Sequence, residues 1–271
     1  MTARLAIAHA ARDLADISPT PRLDAELLMA HAMGITREAL LLGRLDDPAP
    51  PAFAGLLDRR LAHEPIAYIT GARAFWTIEL AVGPGVLVPR ADSETLIEAA
   101  IDHFGATAPT TILDLGTGPG TLLLAALDHW RNARGLGVDA SPVALDYARR
   151  NARDLGMAAR ATFQAGNWAA DVTGRFDLIL ANPPYIGTDE RLPREVRDHE
   201  PGAALFAGAD GLDDYRRIVP QLRGLLAPGG AAILEVGATQ ADAVSELLVA
   251  AGFAVTLRRD LGGHARAVIA T

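Results

Sequence analysis

The sequence predicts a doubly wound α/β sheet of seven strands, preceded by a small all-helical domain and a β-hairpin connector. Three observations carry this expectation. From Asp92 onward, short apolar runs alternate with helical stretches, the rhythm of βα units. The first of those runs leads into Gly116, Gly118 and Gly120 and then into a helix. Ahead of them, apolar residues recur at helical rather than strand spacing.

The first domain is expected over residues 1–72. Leu23, Leu27, Leu28 and His31, and then Phe53, Leu56, Leu57 and Leu61, follow helical spacing. Pro21 suits a first helical turn, and Pro48, Pro50 and Pro51 mark a loop. The opening residues carry Arg4, Arg12 and Asp13 and lack the apolar segment of a signal peptide, so they read as a helix. Residues 73–91 form the connector: FWTIELAVGPGVLVPR alternates, and its turn is expected at Gly83, Pro84 and Gly85. The sheet domain follows over residues 92–271. Its strands are expected at Thr111–Leu115, Gly135–Asp139, Ala161–Gln164, Phe176–Ala181, Ala231–Val236, Phe253–Leu257 and Ala265–Ala270.

Composition narrows the function classes. Half of the 271 residues are hydrophobic, enough for a substantial core. The net charge is −8, and all 25 basic residues are Arg, a balance that argues against a broad grip on nucleic acid. The absence of Cys excludes disulfides, thiolate zinc sites and a Cys nucleophile, and it fits a cytoplasmic protein. No apolar run approaches the roughly 18 residues of a membrane span, so no membrane partner is expected. The seven His are scattered without ligand spacing, and no metal is expected. Arg149, Arg150 and Arg153 read as a solvated helix face.

Three short motifs carry chemistry. DLGTGPG brings Asp114, Gly116, Thr117, Gly118, Pro119 and Gly120 to the end of a strand, where glycines let the backbone approach a ligand. A dinucleotide fingerprint would put its third glycine where Thr121 stands, so the spacing favours a ligand without a pyrophosphate. Asp139 ends the next strand and can accept hydrogen bonds from two ribose hydroxyls, with a cap on the following helix as its alternative role. In FDLILANPPYIG, two prolines stop a buried strand at Asn182, Pro183, Pro184 and Tyr185. The Asn182 side-chain oxygen and the Pro183 carbonyl form a stiff pair of acceptors suited to a planar NH2 group, and Tyr185 offers a flat wall. A plain strand-ending loop is the alternative.

DLGTGPG, GVDAS, GNW and NPPY resemble the motifs of S-adenosylmethionine-dependent methyltransferases that act on nitrogen. EPIAYITGARAFW, VPRADSE, EPGAALFAGADGL and RDLGGHARAV extend the likeness over nearly the whole chain to the release-factor glutamine methyltransferases, the PrmC/HemK family. The resemblance implies a Rossmann-like sheet and S-adenosylmethionine as cofactor. It also implies as substrate the Gln of the Gly-Gly-Gln motif in class I peptide chain release factors. On this likeness Gly116 to Gly120 face the methionine part, Asp139 holds the ribose, Trp168 lies beside the adenine, and Asn182 to Tyr185 take the amide. The connector departs from the family's P-R-P-D-T-E by Ala91 and Ser93. Glu235, polar at the end of an apolar run, has no role that sequence decides. Two other readings stay open: a nucleic-acid methyltransferase on an exocyclic amine, which uses the same corner, and a module that binds the cofactor without turnover.

Overall fold

In a computed structural model that describes Met1–Thr271, the chain divides into two compact units. The first comprises Met1–Ala72 together with Leu192–Glu200. Its helices are α1 (Ala3–Asp13), α2 (Pro21–Met33), α3 (Arg37–Ala39), α4 (Ala52–Leu61) and α5 (Ile66–Thr70), with α9 (Arg194–His199) contributed from later in the chain. Thr2 caps α1 by accepting from the Leu5 amide, and Pro21 opens α2, which Gly34 ends in the left-handed region at φ 66°. Ala3, Ala6, Ile7, Ala10 and Leu14 of α1 pack with Ala25, Leu28 and Met29 of α2 and with Leu40, Phe53 and Ile69.

The buried face of α2 keeps Leu28 and part of Leu27 from the expected set but departs from it elsewhere. Leu23 and His31 are exposed, whereas Asp24 and Glu26 are buried. Ion pairing reverses the pattern: Arg60 Nε lies 2.8 Å from Asp24, and Glu26 takes Arg22 at 2.6 Å and Arg37 at 2.7 Å. Arg60 also pairs with Glu195 of α9 at 2.9 Å and donates to the Glu64 carbonyl, which brings the later segment into this unit.

The second unit covers Arg73–Arg191 and Pro201–Thr271. It begins with a hairpin of β1 (Ala72–Phe75) and β2 (Ile78–Ala81); the chain does turn at Gly83–Gly85 as expected, but beyond β2 and outside the hairpin, whose own turn is at Trp76 and Thr77. Side chains hold this turn in place of glycine. The Trp76 amide donates to Glu94 at 2.9 Å with Trp76 at φ 54°, and Thr77 Oγ1 donates to Asp128 at 2.6 Å.

Seven strands follow: β3 (Thr111–Leu115), β4 (Arg134–Asp139), β5 (Ala161–Ala165), β6 (Phe176–Ala181), β7 (Leu226–Glu235), β8 (Val255–Arg259) and β9 (Ala265–Ala270). Their order in the sheet is β5-β4-β3-β6-β7-β9-β8, parallel except for β9, which runs antiparallel to both neighbours. The helices are α6 (Glu94–Phe104), α7 (Thr121–His129), α8 (Pro142–Asp154), α10 (Asp213–Leu225) and α11 (Ala241–Ala250). Leu113, Leu115, Ile179 and Leu234 meet Tyr215, Ile218 and Leu222 of α10 and Val244 and Leu248 of α11 in one core. Arg149, Arg150 and Arg153 lie exposed on α8, as expected of a solvated face.

Strand order reverses between β3 and β6, and open α/β sheets bind ligands at such a switch point. Register then decides which residues meet there. Leu115 is level with Ala181, Asp139 with Ala165, and Ala181 with Leu234. The next residue on each strand therefore brings Gly116 beside Asn182, and Asn182 beside Glu235.

Candidate active site

A cavity of about 500 Å³ opens over the carboxyl ends of β3, β4, β5 and β6, within the range of small-molecule sites. Of the residues singled out by sequence, Asp114, Gly116, Thr117, Gly118, Pro119, Asp139, Trp168, Asn182 and Pro184 line it. Gly120, Pro183 and Tyr185 are not in its wall. Gly120 has a packing role: at φ 89° it begins α7, and a Cβ there would stand 2.8 Å from Leu124. Tyr185 is directed elsewhere, its hydroxyl 3.5 Å from Glu235 Oε1 and its ring packed against the core.

The glycine loop is fixed by two carboxylates. Asp114 Oδ2 accepts from Thr117 Oγ1 at 2.6 Å and from the Leu123 amide at 3.2 Å, closing the turn onto its own strand. Asp139 Oδ2 accepts from the Gly118 amide at 2.8 Å, and its Oδ1 accepts from the Ser141 amide at 2.8 Å. The cap of α8 is Ser141, whose side chain accepts from the Ala144 amide, so Asp139 is not that helix's N-cap. Each Asp139 oxygen keeps a lone pair for a further donor, as a pair of ribose hydroxyls would require.

Asp114 is a fully buried carboxyl in the cavity wall. Its Oδ1 is buried without a hydrogen-bond partner. Burial pushes its carboxyl up to about 7, against the opposing hydrogen bonds from Thr117 and Leu123 and with a small upward push from Asp139. A cationic ligand group would satisfy that oxygen and favour its ionised form. Opposite stands Trp168, whose Nε1 donates to Asp214 at 3.2 Å. Gly116, at φ 72°, lets the ring come close: a Cβ there would be 3.0 Å from the Trp168 ring.

At the β6 end, Asn182 Nδ2 donates to Ser93 Oγ at 3.1 Å, which leaves Oδ1 as the acceptor for a ligand. The Ser93 hydroxyl in turn hydrogen-bonds the Glu235 carboxylate. Glu235 is buried, its Oε2 has no partner, and burial pushes its carboxyl up to about 7. Burial and the nearby Glu235 charge push the Tyr185 phenol up to about 12.

Several wall residues carried no signal in isolation. Leu87, Pro89 and Arg90 come from the connector, Ala203, Ala204 and Phe206 from EPGAALFAGADGL, and Asp214 and Arg217 from α10, while Ser93, which sequence noted only as a departure from the family, joins them from the turn before α6. The two quoted stretches pointed to the region but not to these side chains. Asn151 is a further hidden support, buried on α8: its Nδ2 donates to the Pro119 and Ala81 carbonyls and its Oδ1 accepts from the Ala81 amide.

Comparisons with known proteins bear on this geometry. Residues 6–71 match a family model described as the PrmC N-terminal domain, and residues 106–247 match one described as a methyltransferase domain. The chain is 44% identical to a release factor glutamine methyltransferase of Rhodospirillum rubrum, over 92% of this chain and 78% of that protein. It is 43% identical to one from Moorella thermoacetica, over 93% and 91%, and 42% identical to one from Burkholderia pseudomallei, over 95% and 94%. Among solved structures, a methyltransferase from Pyrococcus furiosus aligns with a TM-score of 0.54 at 18% identity, covering 80% of this chain and 98% of that one. A T. thermophilus 16S rRNA methyltransferase in complex with AdoMet and guanosine aligns at 0.51 and 18% identity, covering 73% and 49%. These two likenesses speak for the fold.

Proposed function

The chain belongs to the release factor glutamine methyltransferases, and we propose that it methylates the side-chain amide nitrogen of the Gln in the Gly-Gly-Gln motif of class I peptide chain release factors. S-adenosylmethionine is the methyl donor, and its sulfonium supplies the reactive methyl group. The observation that carries the reading is the adjacency of Asn182 to the glycine loop in one cavity wall, with its Oδ1 left for a ligand.

Each residue then has a task. Asp114 would hold the donor's ammonium group, and Asp139 its ribose hydroxyls while keeping the Gly118 turn closed. Trp168, steadied by Asp214, would flank the adenine. Asn182 Oδ1 would accept an N–H bond of the Gln amide and aim its nitrogen along the line of transfer, while the Pro183 carbonyl, the second acceptor that the sequence suggests, lies outside the cavity wall of the ligand-free chain. The nitrogen lone pair is delocalised into the carbonyl, and deprotonating the amide beforehand would need a far stronger base than any side chain provides at neutral pH. Alignment replaces the base: positioning of this kind accounts for roughly 7 to 11 kcal/mol in favourable cases. The fixed acceptor also stabilises the positive charge that grows on nitrogen as the methyl arrives, and the proton leaves during or after transfer.

A Gly-Gly-Gln tip has little side chain to grip, so affinity requires a second contact. Residues 1–72 would supply it as a substrate-recognition domain, joined through residues 73–91 to the methyltransferase domain of residues 92–271. The expected compartment is the cytoplasm; no helix is long and apolar enough to cross a membrane. The nucleic-acid alternative is not favoured, because relatives above 40% identity over nine-tenths of the chain carry the release-factor name. The test offers labelled S-adenosylmethionine with a purified release factor, the same factor with its Gln replaced, and bulk RNA. Label in the first alone supports the reading; label in the RNA, or in both proteins equally, overturns it.

A further inference from the structure

Glu235 ends β7 in a place where a carboxylate is costly. It is 1% exposed, and its Oε2 has no hydrogen-bond partner. The nearest positive charge is committed elsewhere: Arg266 pairs with Asp92 and Asp260, both at 3.2 Å, and donates to the Val236 carbonyl. An apolar side chain in the same space would avoid the desolvation penalty, so core packing alone does not explain a Glu here. Its surroundings do. The pairing of Ala181 with Leu234 sets Glu235 beside Asn182, and the Ser93 hydroxyl bridges the two, donating to Glu235 while it accepts from Asn182 Nδ2 at 3.1 Å.

We propose that Glu235 is a positioning residue that acts through Ser93 to hold the Asn182 amide with its oxygen toward the substrate nitrogen. A hydroxyl has one proton. Because that of Ser93 goes to the Glu235 carboxyl, which accepts when ionised and through its carbonyl oxygen when protonated, the Ser93 oxygen faces Asn182 with a lone pair and requires Nδ2 there. The end of the amide torsion is broad and nearly two-fold, so without this constraint the Asn amide turns over at little cost. Turned over, it would present an NH2 to the substrate's own NH2, donor against donor. Removing the Glu235 acceptor goes further, since the freed Ser93 proton would then donate to Asn182 Oδ1 and stabilise the inverted amide.

The inference rests on the release-factor reading, and the experiment separates the two. The unaltered enzyme is first assayed on a purified release factor with S-adenosylmethionine. Then kcat, KM for the factor, cofactor affinity by calorimetry and melting midpoint are measured for Ser93→Ala, Ser93→Thr, Glu235→Leu and Glu235→Gln. The relay predicts that Ser93→Ala lowers kcat on the order of tenfold, the scale of one misplaced hydrogen bond in the transition state, with KM and cofactor affinity near their original values. Glu235→Leu loses at least as much. Ser93→Thr keeps the hydroxyl and Glu235→Gln keeps an acceptor, so both recover most of kcat relative to their partners. Ser93 makes the proposal testable even if Glu235→Leu fails to fold. Folded Ser93→Ala enzyme with the original kcat, a Thr variant no better than Ala, or a loss confined to KM or to cofactor affinity would overturn the relay while leaving the release-factor reading intact. No methyl transfer to the factor by the unaltered enzyme removes both.

Discussion

Asp114 offers a proton count that can be read directly. Its carboxyl stands at about 7 in the ligand-free chain, mainly through burial, and its Oδ1 has no partner. A donor ammonium beside that oxygen would favour the ionised carboxylate, so binding below neutrality must expel a proton. With a free-state value near 7, the ionised fraction rises from about 3% at pH 5.5 to about 50% at pH 7. Cofactor affinity should therefore tighten roughly fifteenfold across that interval, equivalent to about 1.6 kcal/mol. The window stops near neutrality because an α-amino group itself loses its proton at about 7.7 to 8.0. Isothermal calorimetry in buffers of different ionisation enthalpy measures the released proton and the affinity together. Asp114→Asn should weaken binding and flatten the pH slope. Glu235 also stands at about 7 but outside the cavity wall, so Glu235→Gln should leave the slope in place. A slope that survives Asp114→Asn, or disappears in Glu235→Gln, would refute the assignment.

Asn182→Ala should preserve the melting midpoint and much of the cofactor affinity while lowering kcat by about one to two orders of magnitude, as expected when an acceptor acts chiefly in the transition state; steady-state kinetics on a release factor decides it. Gly116→Ala should lose cofactor binding, because its φ of 72° strains any Cβ and the Trp168 ring stands 3.0 Å from where that atom would lie; calorimetry reads the loss. Asp24→Ala removes one buried partner of Arg60, which keeps Glu195 and the Glu64 carbonyl, and should destabilise the helical unit by about 1 to 3 kcal/mol, visible in urea unfolding. Asp114 and Glu235 retain protons in the folded chain that they release when unfolded, since both stand at about 7 against ordinary values of 3.8 and 4.5. The ligand-free protein should therefore lose stability as pH rises from about 4 and level off above about 7, the reverse of the usual carboxylate trend, as urea midpoints across that range would register.

Legibility in the sequence followed local punctuation. The expected ends of Thr111–Leu115, Phe176–Ala181 and Ala265–Ala270 agree with β3, β6 and β9, two of them closed by Gly116 or by the Asn182–Pro183 corner. The glycine loop, Asp139 and Asn182 were visible because each ends a strand and changes its chemistry there. What escaped depends on partners distant in sequence. The Trp76–Thr77 turn has no glycine because Glu94 and Asp128 hold it, whereas the conspicuous glycines at Gly83 and Gly85 mark a second turn, beyond β2. The buried face of α2 contains two acids because Arg60, Arg22 and Arg37 neutralise them. Asn182 and Glu235 come together through strand register, and Ser93 reaches Asn182 from the turn before α6, neither of which a local pattern encodes. The same limit applies to Tyr185, which reads as a pocket wall beside two prolines but turns toward Glu235.

The measurement that bears most directly on the whole account is mass spectrometry of a class I release factor incubated with this chain and S-adenosylmethionine. The account predicts a single added methyl group on the Gln of the Gly-Gly-Gln tip, absent with the Asn182→Ala enzyme. An unmodified Gln with active cofactor turnover elsewhere, or the same methylation by Asn182→Ala at the original rate, would contradict it.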